Sequence, residues 1–154
     1  MGQACALFAF GTLMDTEVLQ LVSGQPLDHL RLEPATVADH ARRWVADDHY
    51  PVLIACPGTC TQGLIIRDLG QEAMNRIIFF EGDEFTLREI QVERSDGLEE
   101  QVCYFADNQR KLVSDQEWQL AHWQRTTKPD TLPRVVRYMR CYGMMSIAEA
   151  DAHW

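Results

Sequence analysis

The first apolar run, Ala4 to Phe10 (ACALFAF), is short, continuous and stopped by Gly11-Thr12-Leu13. A run of that length without polar alternation is the pattern of a strand covered on both faces. Asp15 then stands where a helix cap is needed for Thr16 to Val22, with Gly24 just beyond the end. The chain therefore opens as strand, glycine turn, helix. A turn of this kind directs several backbone N–H groups one way, a seat for a carboxylate or phosphate that uses no charged side chain. Most such turns bind nothing, so the turn needs a partner elsewhere in the chain before it means more.

The candidate partner is the stretch IIFFEGDEF. Leu69, Ala73, Ile77 and Phe80 recur as the inner face of a helix over 70–80, which delivers Glu81 at its C-terminal end before Gly82. A carboxylate at the rim of a core is pushed toward its neutral form by lost hydration, and the helix dipole adds to the push. The competing reading is a solvated residue one step past a helix end. The other carboxylates here, Asp83 and Glu84, have no apolar run before them.

Between these features lie extended segments. Leu30 to Val45 reads as a strand bent at Glu33-Pro34, ending in Arg42-Arg43-Trp44, which forms either a cation-and-stacking platform or a solvated edge. Tyr50 to Ala55 is a second apolar run, Pro57-Gly58 a turn, and Thr61 to Asp68 a further strand. In that strand Gly63 marks a close backbone or ligand approach, or a bulge. Phe85 to Arg94 alternates as a strand with a bulge near Arg88, and pairs across Ser95-Asp96-Gly97 with Glu99 to Ala106. Ser114 and Glu117 match a capping box for a helix to about Arg125, in which Trp118 and Trp123 do not share a face, so at least one belongs at a rim. Pro133 suits the first turn of a helix through Met145, with Arg134, Arg137 and Arg140 as its solvated face. A second capping box falls at Ser146 and Glu149.

With 154 residues, 46% of them hydrophobic, one core and one domain are expected. A formal charge of -9 argues against nucleic-acid and anionic-membrane partners, which need phosphates neutralised, and leaves a small solute. No apolar run is long enough to span a membrane and the start lacks a secretory pattern, so a cytoplasmic location is expected. Cys5, Cys56, Cys60, Cys103 and Cys141 have no zinc spacing, and His40, Asp47, Asp48 and His49 fix no metal; free thiols and no metal or cofactor are expected. Arg88-Glu89-Ile90 matches the middle of the Nudix pyrophosphatase signature, but position 92 is Val where that motif needs Glu. The segment also alternates as a strand where that motif must be helical.

Taken in order, Phe10-Gly11-Thr12-Leu13, Tyr50-Pro51, the Gly63 strand and Phe80-Glu81-Gly82 resemble the gamma-glutamylcyclotransferase-like superfamily over roughly the first 105 residues. Within it the chain is most similar to bacterial members that also occur beside a Nudix hydrolase domain. The resemblance implies an α+β fold, a small mixed β-barrel with flanking helices, as a single domain over 1–154 with its core at 4–106 and a helical extension over 114–154. It also implies a cofactor-independent release of 5-oxoproline and an amine from a small gamma-glutamyl substrate, and a functional partnership with a Nudix hydrolase. Glu81 matches the catalytic acid/base, and the N–H groups of Gly11, Thr12 and Leu13 match the seat of the substrate's α-carboxylate. Phe10, Tyr50, Pro51 and Phe85 complete the implied pocket. Phe10 and Phe85 stand where the family usually has Tyr, which removes two hydroxyls and opens the alternative of a non-catalytic binding or accessory module.

Overall fold

The computed structural model describes residues 6–46, 48, 50–108 and 112–154. Ala4, Cys5, Asp47 and His49 lie outside them. Five strands close into a mixed barrel: β3 (Pro51–Arg67), β1 (Leu7–Ala9), β5 (Glu99–Asp107), β4 (Phe85–Arg94) and β2 (Arg31–Val45), with β2 returning to β3. Among the described residues, only the β1–β5 contact is parallel, at Leu7 and Cys103. A sixth strand, β6 (Val113–Glu117), extends the edge of β2 at Arg43 and Val45. The helices α1 (Thr16–Ser23), α2 (Gln71–Glu81), α3 (Leu120–Thr126), α4 (Lys128–Met139) and α5 (Ile147–Asp151) flank the barrel. None of these helices is long and apolar enough to cross a membrane.

Alternation along β1 explains why its run has no polar residue. Phe8 and Phe10 join Ala35, Val37, Leu53, Ile65, Val92 and Val102 in one cluster, drawn from all five barrel strands. Leu7 and Ala9 face the other way, into a larger cluster built with α1, α2, α3 and α4. Gly63 is where β3 crosses β1: a Cβ there would lie 2.4 Å from the Ala9 carbonyl oxygen and 2.7 Å from the Phe8 ring. Of the readings open at Gly63, a close backbone approach, a ligand or a bulge, the close backbone approach is what the barrel uses.

Several local expectations change. Ser114 does not cap a helix but lies in β6, its hydroxyl accepting from Gln116 N at 3.2 Å; pairing with the edge of β2 overrides the capping signature. Consequently the extension over 114–154 opens with a strand. Trp118 and Trp123 are both fully buried, because α3 begins only at Leu120 and packs between barrel and α4. Helix α4 starts at Lys128, with Pro129 in its first turn and Pro133 inside it. The register of β4 on β5 is unbroken from Phe85–Asp107 to Glu93–Glu99, so there is no bulge at Arg88. Nor does β2 break at Pro34, which pairs with Leu64. The irregularity comes between Ala38 and His40, where Asp39 turns to φ 58° and accepts from Gly58 N at 2.9 Å. Pro57 and Gly58 thus bulge out of one long strand rather than end it. On α2, Phe79 is buried and Phe80 only half-buried, one position away from the expected face.

Candidate active site

Asp15 caps α1 as expected, accepting from Val18 N at 3.0 Å and held by Gln124 Nε2 and Lys128 Nζ at 2.9 Å each. With the start of α1 fixed, the preceding residues Thr12–Met14 form a single 3-10 turn closed by Met14 N to Gly11 O and Asp15 N to Thr12 O. The first N–H groups of such a turn have no carbonyl of their own to pair with. Gly11 is packed on Pro51, where a Cβ would come within 2.9 Å of Cγ. Arg42 secures the carbonyl just before the turn: its Nη1 donates to Phe10 O at 3.0 Å and to Gln62 O at 2.8 Å, and its Nε to Trp118 O at 2.9 Å. The guanidinium also lies 5.6 Å from the centre of the Trp118 ring. Of the two readings of this segment, the platform holds for Arg42, and its role is to position the turn.

Across from the turn, α2 ends at Glu81 because Gly82 takes a left-handed φ of 74° while its N–H still donates to Ile78 O. Tyr138 of α4 donates to Phe79 O at 3.0 Å, and its ring lies 5.1 Å from that of Phe79, so the last turn of α2 is tied to α4. The following turn is pinned by Asn108, through Nδ2 to Asp83 O at 2.7 Å and through its N–H to Glu84 O at 3.0 Å. Tyr50 donates its hydroxyl to Glu84 and packs edge-on against Phe85 at 5.7 Å. Burial and the Glu84 bond together hold the Tyr50 hydroxyl well above its ordinary pKa, so it stays protonated.

Turn and helix end meet at one cavity of about 590 Å³, a size that suits a small metabolite. Phe10, Gly11, Thr12, Leu13, Tyr50, Pro51, Glu81 and Phe85 all line it. So do Asp48, Asp83, Glu84, Thr131, Trp123, Tyr138, Asp151 and Trp154, which sequence reasoning did not place there. The signal for the helical part was a four-residue spacing, Trp123, Thr131 and Val135 with Thr127 between, obscured by Pro129 and Pro133. No Lys, Arg or His is among the described residues that line the cavity. Nor does any group of three or more His, Cys, Asp or Glu among the described residues have the arrangement to hold a metal.

The Glu81 carboxyl makes no hydrogen bond or ion pair among the described residues. The residue is half-buried at the cavity, and the loss of hydration there pushes its pKa from 4.5 up to about 8. Asp151 is raised as well, by burial first and then by Glu84 and Asp83. Chemically this is a cavity with an unengaged carboxyl able to take and return a proton near neutral pH, opposite a turn able to receive an anion.

A closed mixed barrel with a sixth strand and flanking helices is the gamma-glutamyl cyclotransferase-like fold. The chain belongs to the family described as gamma-glutamyl cyclotransferase, AIG2-like, whose model matches residues 7–125. Similar solved structures include one from Arabidopsis thaliana, 17% identical with a TM-score of 0.65, over 92% of this chain and 85% of that one. A gamma-glutamyl cyclotransferase is 11% identical with a TM-score of 0.60, over 98% and 86%. A yeast gamma-glutamyl cyclotransferase specific to glutathione is 12% identical with a TM-score of 0.57, over 99% and 87%. At these identities the likeness is one of fold. No curated protein matches the chain.

Proposed function

We propose that the protein cyclises a small gamma-glutamyl amine or amide, releasing 5-oxoproline and the free amine without a cofactor. The observation that carries this reading is the unengaged, half-buried Glu81 carboxyl in one cavity with the Gly11–Leu13 turn. The turn N–H groups seat the α-carboxylate, which brings the α-nitrogen to the γ-carbonyl. Orienting a ring closure in this way contributes roughly 7–11 kcal/mol. The α-nitrogen then bonds to the carbonyl carbon and the C–N bond to the amine breaks. Glu81 takes the proton from the attacking nitrogen and gives it to the departing one, so the carboxyl ends as it began. Partnership with a Nudix hydrolase is part of the same proposal.

Incubation with a panel of gamma-glutamyl amines, with mass spectrometry of the products, tests it. The wild type forms 5-oxoproline and Glu81→Gln does not; equal turnover by both removes the role of Glu81. A second reading, a binding or accessory module, is favoured by Phe10 and Phe85, whose rings give the cavity no hydroxyl. Calorimetric binding of gamma-glutamyl compounds with no product across the panel supports that reading instead.

A further inference from the structure

Helix α4 runs along the cavity and orders what lines it. At its start, Lys128 Nζ reaches Asp15, just after the Gly11–Leu13 turn, at 2.9 Å. Near its other end, about 15 Å along the axis, Tyr138 holds Phe79 O in the last turn of α2, which ends at Glu81. Trp154 packs on the Tyr138 ring at 5.8 Å. Asp151, whose pKa is raised first by burial and then by the charges of Glu84 and Asp83, stands beside Tyr138 as well. Asp83 and Asp151 are exposed and Trp154 is half-buried, so this end is the mouth of the cavity. Neither Asp83 nor Asp151 has an ion-pair partner among the described residues, and no Lys, Arg or His among them lines the cavity.

We infer that Asp151, with Asp83 and the Trp154 ring, forms the subsite for the amine half of the substrate and selects an amine that carries a second, positively charged nitrogen. This rests on the proposed function. With the α-carboxylate at the turn and the γ-carbonyl at Glu81, the amine half extends past Glu81 toward the mouth. Neighbouring carboxylates without a cation repel one another, and an ammonium placed among them turns that repulsion into attraction. The aromatic rings of Trp154 and Tyr138 favour the same charge. An amine half that ends in a carboxylate, as in a dipeptide, meets like charges instead. The turn and Glu81 lie within the family match at residues 7–125, whereas Tyr138, Asp151 and Trp154 lie beyond it. Selectivity is thus carried by a part of the chain separate from the part that carries the shared chemistry.

The test is calorimetry on full-length Glu81→Gln, in which bound substrate persists. The probes are the mono-gamma-glutamyl amide of 1,4-diaminobutane, gamma-glutamyl pentylamide, in which a methyl replaces the ammonium, and gamma-glutamyl-5-aminopentanoate, in which a carboxylate replaces it. The diaminobutane amide binds about tenfold more tightly than the pentylamide, and the aminopentanoate binds most weakly. Introduced into the same protein, Asp151→Asn lowers the preference for the diaminobutane amide over the pentylamide about threefold, and Asp151→Glu restores it. Equal affinities for those two amides, a preference untouched by Asp151→Asn, or no binding of any probe overturns the assignment. Absence of 5-oxoproline from the wild type with the charge preference retained removes the proposed activity and leaves the subsite standing. Release of 5-oxoproline with equal kcat/KM from the two amides removes the subsite and leaves the activity.

Discussion

The two walls of the cavity are built from different materials. The barrel wall works through backbone: a glycine turn after β1, Pro51 packed against it, and a carbonyl at Phe10 held by Arg42. The helical wall is lined by side chains spaced along α3 and α4, namely Trp123, Thr131, Val135 and Tyr138. Glu81 belongs to both, since its helix packs on the barrel and is tied to α4 through Tyr138. Features carried by backbone require particular residues in a row; features carried by side chains require only a helical phase.

If this division is right, damage to the shared element is the most severe. Glu81→Gln is expected to lower kcat by about 10²–10⁴-fold, measured as 5-oxoproline released, because a positioned acid/base contributes that much. The same variant separates catalysis from folding. The folded value of Glu81, about 8, lies above the ordinary 4.5, so as pH rises past 4.5 the unfolded chain loses its proton first and wild-type stability falls until pH passes about 8. Glutamine carries no such cost. Thermal melts should therefore show Glu81→Gln several degrees more stable than wild type at pH 8.5 and equal to it near pH 4; lower stability at both would make Glu81 a structural residue.

Next in size is the barrel wall. Gly63→Ala sets a methyl against the Ala9 carbonyl and the Phe8 ring, and since the first of these is backbone of an adjacent strand, urea unfolding should show a loss of about 2–4 kcal/mol. Arg42→Met removes donors to three carbonyls, and about 1–3 kcal/mol is expected together with a higher KM, because the turn loses its anchor. A change in stability with KM untouched would detach Arg42 from the site. Smallest is Tyr50→Phe, which removes one hydroxyl donor to the Glu84 carboxylate beside the cavity; a few-fold loss in kcat/KM is expected, from about 0.5–1.5 kcal/mol.

The same contrast explains what could be read in advance. The β1 run, the Asp15 cap, the Gly63 crossing and the Glu81-Gly82 helix end each follow from a local physical need, and each is found in place. Ser114 and Glu117 met the local pattern of a capping box, but the open edge of β2 at Arg43 and Val45 offered pairing that the pattern does not register. The expectation that at least one of Trp118 and Trp123 belongs at a rim fails because the two do not share one helix: α3 begins only at Leu120, and both rings are fully buried. Asp151 and Trp154 reach the cavity only because the chain returns after α4: Trp154 packs on Tyr138 at 5.8 Å, and Arg137 donates to His153 O at 2.8 Å. Arg137 is thus more than part of a solvated face, a role that its spacing with Arg134 and Arg140 does not reveal.

The cavity is expected to hold Glu81 as an acid/base poised near neutral pH. Carbon-13 NMR of the Glu81 carboxyl, followed from pH 4 to 10 in the ligand-free chain and identified by its loss in Glu81→Gln, tests that directly. A midpoint near 8 is the expected result; a midpoint near 4.5, that of an ordinary solvated carboxylate, would leave Glu81 ionised at neutral pH and unfit for the proton transfer proposed.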